Sequence, residues 1–174
     1  MTYSDKTVYP VASCNEKDFE NLMDVYLDAV FYPNIYEHTE IMRQEGWHYE
    51  LETVEGELSY NGVVFNEMKG AFSSPEQQMY SKIEKLLLAD TPYKNESGGD
   101  PEAIPQLKYE DFIKYHKEYY HPVNSYIYLY GDIDVDERLE YLNNEYLSAF
   151  DKNDVNIDAE VTFQKAFDAP KYET

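Results

Sequence analysis

Gly62-Val63-Val64-Phe65-Asn66-Glu67-Met68-Lys69-Gly70-Ala71-Phe72 is the stretch on which the reading of this chain turns. Val63, Val64, Met68 and Phe72 recur at helical rather than alternating spacing, so the segment reads as a short helix, broken at Ser73-Ser74-Pro75. One acid, Glu67, stands inside this apolar run, whereas most acids of the chain occur in clusters that read as solvated. A carboxylate among residues of core type needs pairing of the Lys69 kind, a hydrogen-bond network or a metal ion. An exposed position on a surface helix is the plain alternative, and the residues alone leave the choice open.

Outward from this helix, the expected elements mix strands with helices. Upstream, Thr7–Ala12 is β-rich, with Pro10 marking a strand edge or end. Ser13 or Asn15 can cap a helix whose apolar residues Phe19, Leu22, Met23, Tyr26, Leu27 and Val30 run up to Pro33. A shorter helix is expected over Tyr36–Gln44, and two strands around a turn at Glu55-Gly56 within 47–60. Downstream, Pro75 suits the first turn of a helix reaching about Leu88. Residues 90–105 read as loop, and Tyr109–Tyr120 as an amphipathic helix ended by His121-Pro122. Tyr126-Ile127-Tyr128-Leu129-Tyr130-Gly131 is the clearest strand, apolar throughout and therefore expected at the centre of a sheet. A last helix, capped by Asp134 or Asp136, extends through Phe150, and Val161–Gln164 reads as a short final strand. Without a regular βαβ alternation, the pattern predicts an α+β fold with a mainly antiparallel sheet and helices on one face.

Composition excludes several classes. The 174 residues carry 35 Asp+Glu against 14 Lys+Arg, a formal charge of −21. No nucleic-acid binder is expected from that balance, because phosphate neutralisation needs clustered cations. A polybasic membrane anchor is unsupported for the same reason. Disorder is opposed by 43% hydrophobic and 16% aromatic residues. Cys14 is the single cysteine, which rules out an internal disulfide and any multi-cysteine zinc site; it reads as a small apolar filler rather than a reactive thiol. No signal or membrane-spanning segment is recognisable, so a soluble protein with a cytoplasmic default is expected. Nucleophile-elbow, P-loop and dinucleotide-binding patterns do not occur. His38, His48, His116 and His121 show no i, i+4 pair, and Glu37-His38-Thr39-Glu40 reads as a solvated helix start. A calcium-binding domain would suit the acidity, yet the Asp-x-Asp-x-Asp-Gly loop is missing.

The Gly62–Phe72 segment closely resembles the one that carries the third zinc ligand in inverted-zincin peptidases of the pitrilysin/insulinase family, and most of all its presequence-protease branch. Further matches follow in the same order: Thr7–Val11, Asp24–Pro33, Gln44–Trp47, Ser97–Pro101 with Ile104-Pro105, and Tyr119–Asn124. Together they span about residues 5–150. The resemblance implies a zinc-dependent endopeptidase that degrades unstructured peptides inside a closed chamber. In the family, two histidines of a His-x-x-Glu-His helix bind zinc and its glutamate is the general base. A third ligand, a glutamate from a later helix, falls by alignment on Glu67.

His-x-x-Glu-His does not occur in these residues. The expectation is therefore a fragment: residues 1–150 a partial metallopeptidase catalytic domain, and 151–174 a linker toward a following domain. By itself the chain is expected to be inactive, with no catalytic residue of its own and no tightly bound zinc, the metal and the peptide substrates belonging to the parent. Apolar surface left by a missing helix is expected to favour self-association or a rearranged sheet. The alternative is a non-catalytic peptide-binding or assembly module of the same family.

Overall fold

Asn15 is extended, and its side-chain oxygen accepts a hydrogen bond from the Asp18 amide at 3.0 Å, which opens the first helix. The structure, a computed structural model, describes residues 1–172. Its elements in chain order are α1 (Glu16–Phe31), α2 (Thr39–Glu45), β1 (His48–Glu50), β2 (Ser59–Asn61), α3 (Val63–Ala71), α4 (Pro75–Leu87), α5 (Tyr109–Tyr119) and α6 (Val135–Glu145), joined by loops and single 3-10 turns. They fall into two units. One holds Met1–Pro10, Glu37–Tyr109 and the described residues from Glu160 onward; the other holds Val11–Tyr36 and Glu110–Ala159.

In the first unit, β1 and β2 pair antiparallel with His48 opposite Asn61, Tyr49 opposite Tyr60 and Glu50 opposite Ser59. The chain leaves β2 directly into α3, whose Phe65 and Met68 are buried together with Ile104; Trp47, Val64 and Phe72 pack around them. Ser74 caps α4, and Pro75 occupies its first turn, where a missing N–H leaves no helical bond unmade. Lys85 on α4 reaches Asp100 at 3.1 Å, and Gln77 donates to Glu96 at 3.1 Å, tying the 96–100 loop to that helix.

In the second unit, Asp134 caps α6 by accepting from the Glu137 amide at 3.0 Å. Arg138 of α6 is buried and meets Glu20 of α1 at 2.9 Å. The Tyr141 and Tyr146 hydroxyls donate to the Asp24 carboxylate at 2.8 and 2.6 Å, and these bonds hold that carboxyl below the usual carboxylate range. His116 of α5 is buried with both ring nitrogens occupied. Its Nε2 lies 2.9 Å from the Val30 carbonyl, which can only accept, so Nε2 donates and Nδ1 accepts the Tyr36 hydroxyl at 2.6 Å.

The expected helices form nearly where the caps and apolar periods place them. The Tyr36–Gln44 helix is displaced: a 3-10 turn covers Asn34–Tyr36, and α2 starts at Thr39. The mainly antiparallel sheet is a correction. Among the described residues, pairing is limited to the β1–β2 ladder and one isolated bridge, Thr2 to Thr7. Residues 8–12, 126–131 and 161–164 form no strand. The supposed centre of the sheet is its most open segment, with Tyr126, Tyr128 and Tyr130 at 103%, 82% and 84% exposure. A helix closes its own hydrogen bonds, but a strand exists only where a second segment completes its ladder, and no described segment does so here. The α+β class stands, in a mostly helical form.

Candidate functional site

Gly62 places the helix that carries Glu67. Its φ of +151° and ψ of 153° lie in a region essentially closed to residues with a side chain. A Cβ there would also strike the Gly46 carbonyl oxygen and come within 2.7 Å of the Trp47 Cα. Only glycine lets the start of α3 lie this close to the segment before β1. Phe65 N–H donates to the Gly46 carbonyl at 3.3 Å, adding a hydrogen bond at the same crossing.

Side chains reinforce that junction. Asn61 Nδ2 donates to Glu50 Oε2 at 2.8 Å, while Asn61 Oδ1 accepts from the Gly62 amide at 2.8 Å and from Asn66 Nδ2 at 2.5 Å. The β-hairpin and the first turn of α3 thus share one polar network. Behind it, the rings of Trp47, Tyr49, Tyr60 and Phe65 pack edge-on or tilted with centroids 5.3–5.9 Å apart. Trp47 Nε1 donates to the Leu107 carbonyl at 3.0 Å, so the polar end of the indole is satisfied as well.

On this footing Glu67 faces solvent. In a helix of 3.6 residues per turn it sits about 200° from Phe65 and about 100° from Met68, the two residues that fill the core. It is exposed, and no hydrogen bond or ion pair engages its carboxylate among the described residues. Lys69 is turned toward the Phe65 ring, with Nζ 5.8 Å from the centroid, and does not pair with Glu67. The surface alternative left open by the sequence is the one realised.

Each of the four histidines engages a neighbour through Nδ1, and the buried His121 Nε2 has no hydrogen-bond partner among the described residues. His38 Nδ1 lies 3.0 Å from Glu40, and His48 Nδ1 lies 2.7 Å from the Arg43 carbonyl. His121 accepts from the Val123 amide at 3.2 Å and caps the turn that follows α5. Burial pushes the His116 imidazole below the ordinary histidine value, consistent with a neutral ring between Tyr36 and Val30. No group of three or more His, Cys, Asp or Glu side chains among the described residues is arranged to hold a metal ion. The donor set therefore does not fit a complete zinc centre, which needs at least three protein ligands. Cys14 is exposed, not the buried filler expected of it.

Sequence reasoning singled out Glu67 and missed what positions it. The Asn61–Asn66 spacing and the glycine between them were the available signals.

A family model described as "Peptidase M16 inactive domain" matches residues 106–173. Protein HypA of Clostridium perfringens (strain 13 / Type A) is 60% identical over 174 residues, which is 100% of this chain and 18% of that protein. Presequence protease 1, chloroplastic/mitochondrial, of Arabidopsis thaliana is 47% identical over 170 residues, 98% of this chain and 16% of that protein. The chain belongs to the pitrilysin peptidase family, in its presequence-protease-like branch. The mitochondrial presequence protease of Drosophila melanogaster agrees, at 44% identity over 151 residues, 85% of this chain and 14% of that protein. This pitrilysin-family chain spans 18% or less of the length of these relatives. The segment matched by the inactive-domain description begins at residue 106, downstream of α3, and so does not include Glu67. No helix among the described residues is long and apolar enough to cross a membrane.

Proposed function

We propose that this chain is one portion of a zinc-dependent endopeptidase that degrades unstructured peptides, and that its contribution to the metal centre is the Glu67 carboxylate. The observation that carries this reading is the combination of exposure and rigidity. Glu67 is an unengaged, solvent-facing acid on a helix pinned by the Gly62 crossing, the Asn61 network and the Phe65–Met68–Ile104 core. A ligand held in place before the metal arrives loses less conformational freedom on binding than a mobile one. The resemblance of Asn66-Glu67-Met68-Lys69-Gly70 to the third-ligand segment supports the same assignment. Zinc, when bound, would polarise a peptide carbonyl and lower the pKa of its water. One ligand cannot hold it, so the catalytic steps lie with residues of the longer protein, and residues 1–150 act as part of its catalytic domain, with 151–174 leading toward the next.

The test is made in the full-length protein, comparing wild type with Glu67→Gln, which keeps the shape and removes the charge. Bound zinc measured by elemental analysis and hydrolysis of an unstructured peptide should both fall at least about tenfold, the loss of a ligand exceeding the 10–100-fold typical of the groups that only support ligands. Undiminished zinc content and activity in the variant would sink the assignment. A second reading, a non-catalytic peptide-binding or assembly module, is favoured by the inactive-domain description over residues 106–173. It gains if the wild-type full-length protein binds peptide with neither zinc nor hydrolysis.

A further inference from the structure

Tyr36 stands at the end of a hydrogen-bonded relay that runs through His116 to the backbone. Its hydroxyl donates to His116 Nδ1 at 2.6 Å, and His116 Nε2 donates to the Val30 carbonyl at 2.9 Å. The carbonyl fixes the tautomer, so the Nδ1 lone pair is aimed at the phenol. The imidazole is also held from the side, stacked on Tyr120 with centroids 4.5 Å apart and edge-on to Tyr36 at 5.5 Å. Burial keeps it below the ordinary histidine value, which leaves Nδ1 unprotonated at neutral pH. Lys117, the next residue of α5, places Nζ 5.4 Å from the Tyr36 ring centroid, where its charge favours negative charge on the phenol. All of these residues belong to the second unit.

A buried histidine between two partners is, at its plainest, a satisfied core side chain. Two observations go further. The hydroxyl at the end of the relay belongs to a side chain that is 38% exposed, so a reagent can reach it, and a cation lies against its ring. Nucleophile, base and a group that orients the base are the parts by which enzymes activate a weak nucleophile. From this geometry we infer that Tyr36 is a covalent modification site, an activated phenol that accepts an acyl group from small acyl donors carrying a good leaving group. In that step the Tyr36 oxygen bonds to the acyl carbon while its proton passes to His116 Nδ1. The leaving group departs with the electron pair of its own bond and then takes the proton from Nδ1. The products are a tyrosyl ester, the protonated leaving group and the neutral histidine restored, with no change of oxidation state.

Acetylation of the full-length protein by N-acetylimidazole at neutral pH, mapped by mass spectrometry, tests the site. Tyr32 is the internal reference. It lies in the same unit, is 45% exposed, and its hydroxyl makes no hydrogen bond among the described residues. Tyr36 should be acetylated at least about tenfold faster than Tyr32, a modest share of the 10²–10⁴-fold that a positioned base contributes. Hydroxylamine should remove the label, as an ester requires. His116→Asn keeps an acceptor for the hydroxyl but supplies no base, so in a variant with unchanged circular dichroism Tyr36 should slow to the rate of Tyr32. Equal rates at Tyr36 and Tyr32 in the wild type overturn the inference. So does a Tyr36 that stays fast in folded His116→Asn, which would assign its reactivity to exposure alone. If the variant does not fold, the wild-type comparison decides by itself.

Discussion

Replacing Gly62 by alanine should destabilise the chain sharply, while the same change eight residues later should help it. At Gly62 a Cβ meets backbone on two sides, the Gly46 carbonyl and the Trp47 Cα, and backbone cannot rotate out of the way as a side chain can. The φ of +151° adds strain of its own. Holding a non-glycine residue in such a region costs about 1–3 kcal/mol, and forcing a methyl into a filled space costs about 1–3 kcal/mol. A loss of about 2–6 kcal/mol follows if the two add. At Gly70, inside the same helix, nothing lies within 4 Å of the added Cβ. Alanine there should stabilise by up to about 1 kcal/mol through the unfolded chain and helix propensity.

Trp47 is the chain's single tryptophan and touches the crossing, so its fluorescence in a urea titration reports this place and no other. With a urea slope of about 2 kcal/mol/M, Gly62→Ala should lower the midpoint by about 1–3 M and Gly70→Ala should raise it by up to about 0.5 M. Absence of any folded baseline in Gly62→Ala is the extreme of the same outcome. Two midpoints equal to wild type within about 0.3 M, or a Gly70→Ala variant that loses as much as Gly62→Ala, would refute the reasoning. Glu67 would then lack the fixed footing argued for it.

Two further perturbations address the other unit. Burial keeps the His116 pKa below its unfolded value, so as pH falls the unfolded chain takes up this proton first. The stability carried by the neutral ring is complete above about pH 6.5 and declines as pH drops below that value toward the folded pKa. Circular dichroism of urea unfolding between pH 8 and 5 should show this slope in wild type and lose it in His116→Phe; equal slopes would remove His116 as the cause. Arg138 is buried against Glu20, and its Nε has no hydrogen-bond partner among the described residues. Arg138→Met, apolar and of similar length, should therefore melt close to wild type, whereas Glu20→Gln, which leaves the guanidinium only the Glu16 carboxylate at 3.9 Å, should melt lower. The opposite order in a thermal melt would contradict the pairing.

What could be read from the sequence divides along a physical line. Asn15 and Asp134 each cap the helix they were expected to begin, and Pro75 opens α4 in its first turn as expected, because a cap and a 3.6-residue period act within one turn of chain. Residues 126–130 could be recognised as strand-like from apolar residues on both faces, but pairing is a property of two segments, and the second is not among those described. The Glu50–Asn61–Asn66 network and the Gly62 crossing stayed hidden for the same reason. Their partners, Gly46 and Trp47, lie across a hairpin, and no local pattern announces such a contact.

Glu67 shows how the surroundings of a residue can be misjudged from its neighbours in sequence. Apolar neighbours in sequence suggested a carboxylate in need of a partner, as though adjacent residues shared an environment. In a helix they do not: Phe65 and Met68 lie three apart on one face, and the residue between them that belongs to neither turn of that face must look outward. Burial of those neighbours does not desolvate Glu67. It immobilises the backbone beneath a carboxylate that remains open to water. The partner demanded by the buried reading is unnecessary for stability, and nothing in the described fold consumes this acid, which is the opening that the proposed ligand role requires.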